Sequence, residues 1–171
     1  MTDLEKRIRA VPDFPKPGIL FRDVTPLLQD PIALRTAIGR LDDLTRPLAP
    51  DAIGAFDARG FLFGAPLAME LGVPFFPVRK AGKLPYETIR AQYALEYGTD
   101  AVEIHVDALE RGNRVVLIDD LLATGGTMRA GCELVERLGG TVVGCRFLIE
   151  LDGLNGRERL AGYDVASVLH Y

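Results

Sequence analysis

Apolar and polar positions alternate along this chain in blocks rather than residue by residue. Short apolar, β-rich runs recur at Ala52 to Phe56, Pro74 to Val78, Val115 to Ile118 and Thr141 to Ile149, and helical patterns fill Phe61 to Leu71 and Met128 to Leu138. That order predicts βαβ units, and so an α/β fold with a largely parallel sheet flanked by helices. Val115-Val116-Leu117-Ile118 is apolar without alternation, as a central strand covered on both faces requires, and its carboxyl end should open on a crevice. Two stretches break the rhythm. Pro12, Pro15, Pro17 and Pro26 deny a continuous helix between Val11 and Pro26, and Lys80 to Thr99 is polar, Tyr-rich and Gly-punctuated. Around Tyr93 to His105, the turn-like Gly98-Thr99-Asp100 separates two short runs that can pair as a hairpin, suited to a lid.

Composition narrows the picture. A chain of 171 residues matches one domain and buries roughly two thirds of its unfolded surface. No repeat or low-complexity tract divides it, so residues 1–171 are expected to form one domain with appended loops. A hydrophobic fraction of 48% against 26% charged residues excludes wholesale disorder. A net charge of −4 argues against a surface built to neutralise nucleic-acid or lipid phosphates. No apolar run approaches the ~20 residues that span a bilayer, and Met1-Thr2-Asp3-Leu4-Glu5 lacks a signal-peptide layout, so the expected location is the cytoplasm. Cys132 and Cys145 lack the companions of a zinc site and read as small, reduced core residues.

The chemistry concentrates after the central strand, in Asp119-Asp120-Leu121-Leu122-Ala123-Thr124-Gly125-Gly126-Thr127. Gly125 and Gly126 lack Cβ atoms, so backbone N–H groups can wrap a phosphate closely, and Thr124 and Thr127 add hydroxyls where the next helix starts. A helix dipole offers only about 0.3–1 kcal/mol, so such a loop must work mainly through charge-assisted hydrogen bonds worth roughly 1.5–3 kcal/mol each. Carboxylates repel the phosphate that the loop attracts, which suits Asp119 and Asp120 to a donor-rich neutral group between them and the phosphate. A ribose diol meets that need, so the run predicts a site for a 5′-phosphorylated ribose. Gly126 and Gly131 have P-loop spacing but are followed by Cys132 rather than Lys, and no G-x-G-x-x-G occurs, so neither an ATPase nor a dinucleotide dehydrogenase follows.

The acidic pair and Thr-Gly-Gly-Thr loop resemble the 5-phosphoribosyl-1-pyrophosphate (PRPP) signature of the type I phosphoribosyltransferases. Asp13 to Asp23, Ala58 to Gly64, Arg79 to Pro85 and Leu95 to Gly98 resemble the adenine-specific branch of that family in order and spacing, so the likeness covers nearly the whole chain. It implies a Rossmann-like sheet with a small N-terminal hood (about 1–30) and a flexible hairpin lid (about 80–105). The implied reaction moves ribose 5-phosphate from PRPP to N9 of adenine, giving AMP and pyrophosphate in purine salvage, with Mg2+ carried by PRPP and reaching Asp119 or Asp120 through water.

Within that resemblance, Ala123, Thr124, Gly125, Gly126 and Thr127 hold the phosphate, while Arg59, Arg79, Lys80 and Lys83 face the pyrophosphate. Arg59 and Glu96 are the catalytic candidates. Charge builds on the leaving group as the anomeric bond breaks, and a carboxylate at Glu96 can manage a purine proton. Adenine is implied to lie between Phe21 and Leu151, read by backbone near Leu20 and Arg22. A homodimer is implied, with Arg79 reaching the neighbouring subunit's pyrophosphate. Ala81 departs from a Pro common in the family, which should leave the lid less rigid. His105 and His170 receive no catalytic role. Two alternatives keep the PRPP site: a transferase for a 6-oxopurine, or a PRPP-sensing regulator without catalysis, which the absence of an added helix-turn-helix segment disfavours.

Overall fold

The computed structural model describes residues 3–94 and 99–171. The chain folds as two compact units, Met1–Arg40 and Leu41–Tyr171.

In the first unit the Pro-rich stretch is not simply a loop. Strands β1 (Arg9–Pro12) and β2 (Leu20–Asp23) pair antiparallel, from Arg9 opposite Asp23 to Pro12 opposite Leu20. Proline is tolerated here because a two-stranded ribbon leaves half of its N–H groups outside the ladder. Arg9 closes the open end through Nη2 on Asp23 Oδ2 (2.7 Å), and Asp23 also accepts from the Thr25 N–H (2.9 Å) and hydroxyl (2.6 Å). A short helix α1 (Thr25–Leu28) follows, and then the start of α2 (Pro31–Thr45), a helix that ends within the second unit's residues and whose first turn is capped by Asp30 Oδ1 on the N–H groups of Ile32 and Ala33.

The second unit is built on a seven-stranded sheet. Its strands are β3 (Ala52–Phe56), β4 (Phe75–Lys80), β5 (Thr88–Ala94), β6 (Thr99–His105), β7 (Arg114–Leu122), β8 (Thr141–Glu150) and β9 (Val165–His170), in the order β5-β6-β4-β3-β7-β8-β9. The five strands from β4 to β9 in that order are parallel, as the βαβ pattern predicts. The β5–β6 hairpin extends the sheet antiparallel through β4. Thr99 and Asp100, expected in a turn, belong to β6 and pair with Ala94 and Tyr93.

Helix α3 (Phe61–Leu71) follows β3, and α4 (Gly126–Arg137) follows β7. Residues from β3, β4, β5, β6, β7, β8 and α4, among them Phe56, Phe76, Val78, Ile104, Leu117, Leu134 and Phe147, share one core. Strand β3 is buried along its full length, which is why its sequence reads apolar without alternation. A four-residue helix α5 (Gly156–Arg159) lies between β8 and β9.

Two details differ from what the pattern alone suggests, at Arg146 and Ala81, while the two cysteines are buried and free as expected. Inside the apolar run of β8, Arg146 is buried; its guanidinium donates to Leu44 O (3.0 Å), Asp164 O (2.8 Å) and Asp164 Oδ2 (2.7 Å), so a charge sits in the core with its donors engaged. Cys132 and Cys145 are both buried with Sγ atoms 3.7 Å apart as free thiols, and their mutual hydrogen bond, together with burial, pushes the Cys132 thiol upward. Ala81 donates its N–H to Ala101 O (3.1 Å), a bond no proline can make, so the departure from Pro at this position supplies a tether.

Candidate functional site

Parallel strands that end on one edge gather their loops there. Register places Phe56 beside Val78, Ala55 beside Ile118, and Leu122 beside Glu150. The segments after β3, β4, β7 and β8 therefore converge, bringing together Arg59, Arg79, Asp119 to Thr127, and Leu151.

The loop after β7 is the best-defined part. Gly125 has φ +79° and precedes α4, a conformation that side chains with a Cβ rarely adopt, and a Cβ at this position would lie 2.4 Å from Gly156 O. Among the described residues, the N–H groups of Thr124, Gly125, Gly126 and Thr127 donate to no protein acceptor. They border a cavity of about 80 Å³ whose walls are residues 121–128 with Asp119 and Phe147. Unengaged donors at a helix start, around a cavity of this size, are suited to a small anion.

Asp119 and Asp120 differ in surroundings, because adjacent strand residues point to opposite faces. Asp119 lines the cavity and accepts the Asp120 N–H at Oδ1 (2.9 Å). Burial of its carboxyl, and then the neighbouring Asp120 charge, push Asp119 well above the usual carboxylate range. Asp120 is itself buried, and its Oδ2 accepts Arg59 Nε at 2.6 Å. One carboxylate thus faces the cavity, and the other anchors a cation from the β3–α3 loop.

Arg79 and Lys80, at the end of β4, are held by acids from elsewhere. Arg79 Nε meets Asp57 Oδ2 (2.9 Å) and its Nη1 donates to Lys83 O (3.0 Å), so within this chain Arg79 braces the loop that carries Lys83. Lys80 Nζ lies 3.3 Å from Asp100 Oδ2, which also accepts from the Tyr93 hydroxyl (3.2 Å). The Tyr93 hydroxyl also meets Thr127, so the hairpin touches the end of the phosphate-type loop. Lys83 is exposed and has no ion-pair partner among the described residues. Glu103 is buried on β6; burial raises its carboxyl, but the Gly82 N–H (2.9 Å) and Arg90 (2.7 Å) outweigh that and hold it below the usual range.

The remaining predicted residues are placed separately. Leu20, Phe21 and Arg22 lie on β2 in the first unit, with Phe21 edge-on to Phe14 at 5.1 Å between ring centroids. Leu151 follows β8 in the second unit, half-buried, and its N–H donates to Leu122 O (3.0 Å). Glu96, with Leu95, Tyr97 and Gly98, lies outside the described residues.

Sequence reasoning missed Asp57, Asp100 and Glu103, the acids that position the basic segment, because each acts across 21 residues or more, or from a neighbouring strand. The structure also gathers Glu150, Asp152 and His170, whose ligand-type atoms lie within 4.8 Å of one another. Both Glu150 oxygens already accept from Arg157 (2.6 and 2.7 Å), and Oε2 also from Ser167 (2.6 Å), which makes this an ion-pair network and a poor cation cage. Among the described residues no helix is long and apolar enough to cross a membrane.

Comparison with known proteins adds an independent line. The model of the phosphoribosyl transferase domain matches residues 27–168. The adenine phosphoribosyltransferase of Nitrosococcus oceani is 55% identical, with 100% of each chain covered. Among solved structures, adenine phosphoribosyltransferase from Thermoanaerobacter pseudethanolicus aligns with a TM-score of 0.96 at 54% identity, covering 98% of each chain. The Saccharomyces cerevisiae enzyme, solved with an imino-altritol bisphosphate and adenine, aligns at 0.91 and 40% identity, covering 97% of this chain and 96% of that one.

Proposed function

This chain belongs to the phosphoribosyl transferase family, and from that premise we propose that it transfers the 5-phosphoribosyl group of PRPP to N9 of adenine, releasing pyrophosphate and forming AMP. The observation that carries the reading is the cavity of about 80 Å³ ringed by the free N–H groups of 124–127 with Asp119 at its edge. A phosphate takes the N–H groups, and the sugar hydroxyls donate to Asp119, which separates the anion from the carboxylate. Relatives that share the whole chain carry the adenine-specific activity, which supports adenine as the base.

The residues then divide the work. Breaking the anomeric bond leaves positive charge on the sugar and negative charge on pyrophosphate, so cations belong at the leaving group. Arg59, held on Asp120, and the exposed Lys83 take that role in this proposal, with Arg79 and Lys80 behind them. Glu96 is proposed to manage the purine proton as N9 attacks. Leu20, Phe21, Arg22 and Leu151 are proposed to contact adenine. Reading the base needs one acceptor for its amine and one donor for N1, the reverse of what hypoxanthine and guanine present.

Mg2+ is proposed to enter with PRPP. The donor set suits it, since carboxylate oxygens are hard ligands and Asp119 is the one of the pair not committed to Arg59. Bound there, the ion supplies charge neutralisation for the diphosphate. We place the enzyme in the cytoplasm and as a homodimer. Leu62 and Met69, seven residues apart on one face of α3, are 44% and 83% exposed, and Phe75 on β4 is 37% exposed, apolar surface that a second copy would cover.

The test is pyrophosphate release from PRPP and Mg2+ with each purine in turn. Adenine should support turnover and hypoxanthine, guanine and xanthine should not. Turnover with a 6-oxopurine would reassign the base pocket, and ligand binding with no turnover would favour a PRPP-sensing regulator.

A further inference from the structure

The anion loop is shaped from behind by a segment far away in sequence. A Cβ at Gly125 would lie 2.4 Å from Gly156 O, and a Cβ at Gly156 would lie 2.3 Å from Ala123 O. The two backbones are therefore in reciprocal contact with no side chain between them, and the position of Gly156 sets how far the turn at 123–125 can relax. Gly156 opens α5, a four-residue helix whose preceding residue, Asn155, has φ +51° and offers no side-chain cap. A single turn without a cap does not hold itself, because nucleation costs more than one turn returns. Something outside must hold it.

The next residue supplies the tie. Arg157 forms a two-pronged pair with Glu150, Nε to Oε1 at 2.6 Å and Nη2 to Oε2 at 2.7 Å, and its Nη1 donates to Val165 O (2.8 Å). Glu150 is buried at the carboxyl end of β8, in register with Leu122 at the end of β7, and Ser167 of β9 donates to its Oε2 (2.6 Å). A planar fork on a buried carboxylate allows little rotation or slip. Arg157 therefore fastens α5 to two sheet strands at once, and α5 in turn backs the loop.

We propose that Arg157, acting through Glu150 and Gly156, is a positioning residue for the phosphate loop and sets the affinity of this site for a phosphomonoester. The inference rests on the function proposed above for what the loop binds. Converging N–H groups reward an anion only when several sit at hydrogen-bonding distance together, so a small retreat of the backing loses part of the set. Leu151 is fixed by a backbone bond of its own, N–H to Leu122 O (3.0 Å), which does not involve the Arg157 side chain, so the effect should fall on the phosphate and leave the base alone.

The experiment uses the full chain, with Arg157→Met and the double variant Glu150→Gln/Arg157→Met. Ribose 5-phosphate affinity is measured by calorimetry, with KM for PRPP and for adenine, and Tm. Arg157→Met should weaken ribose 5-phosphate about tenfold, the value of one charge-assisted hydrogen bond, and raise KM for PRPP in step, while KM for adenine stays close to that of the parent. It should also lower Tm, because a buried carboxylate loses its partner. The double variant removes that orphaned charge, so Tm should recover while the weak ribose 5-phosphate affinity persists. Should Arg157→Met fail to fold, the double variant alone decides. Ribose 5-phosphate affinity equal to the parent's in either variant overturns the proposal. A parent chain that binds ribose 5-phosphate yet releases no pyrophosphate from PRPP and adenine would sink the assigned reaction and leave this tie intact.

Discussion

The loop after β7 and the basic segment after β4 flank the same sheet edge, yet they are built in different ways. The loop offers backbone donors from one contiguous run, residues 124–127, on a turn with another backbone packed behind it. The basic segment offers long side chains, and each position depends on an acid supplied from another element: Arg79 on Asp57, Lys80 on Asp100, and the Gly82 backbone on Glu103. Backbone donors lose little freedom when an anion arrives, whereas a lysine ammonium must be ordered by it. The loop should therefore supply affinity in the resting protein, and the cations should act chiefly as negative charge develops on the leaving group.

Variants can break this division, beginning with the largest effect. Gly125→Val forces a branched side chain onto a left-handed residue and into Gly156 O, so kcat/KM for PRPP should fall on the order of 10²-fold or more, with ribose 5-phosphate binding lost in calorimetry. Wild-type kinetics would show that the loop does not bind the substrate. Glu96→Ala should lower turnover about 10²-fold and leave PRPP affinity nearly intact in a steady-state comparison. Unchanged turnover would remove Glu96 from the mechanism.

Lys83→Ala, with no ion pair to disturb among the described residues, should reduce kcat about tenfold at unchanged Tm, whereas Asp57→Asn should act indirectly by freeing Arg79 and should also lower Tm. Equal effects of the two variants on both quantities would erase the distinction between a contacting and a bracing residue.

The smallest effect concerns Asp119. Burial and the Asp120 charge raise its pKa in the folded state above the ordinary value of 3.8, so the folded chain holds a proton that the unfolded chain releases. Stability is then lost as pH rises from the unfolded value toward the folded one. Asp119→Asn should remove that loss. It should stabilise the ligand-free protein at neutral pH and raise its Tm, with the gain vanishing in acid below about pH 4. A gain that persists unchanged in acid would contradict the assigned cause.

How much of this could be read from the chain follows from the same contrast. The β3–α3 and β7–α4 units were legible because each apolar run and its following helix are local, and Ala52–Phe56 and Phe61–Leu71 match the observed elements end to end. The phosphate-type loop was legible because its donors, its glycines and its carboxylates are consecutive. Strand β7 continues through Leu122 beyond the expected apolar run, because Asp119 and Asp120 remain in the ladder with their side chains accommodated by the cavity and by Arg59. The β1–β2 ribbon was hidden by prolines that a short ladder tolerates. Helix α2 and strand β9 went unread, since α2 carries mixed polarity and β9 is only partly buried. Asp57, Glu103 and the Glu150–Arg157 pair carry no local signature, since a charged residue that closes a long-range pair looks in sequence like any solvated one.

The most direct test of the account is a crystal structure of the protein with AMP. The phosphate should lie within about 2.7–3.2 Å of N–H groups from 124–127, with the ribose hydroxyls donating to Asp119. A phosphate bound anywhere else, with the 123–127 turn left vacant, would contradict it.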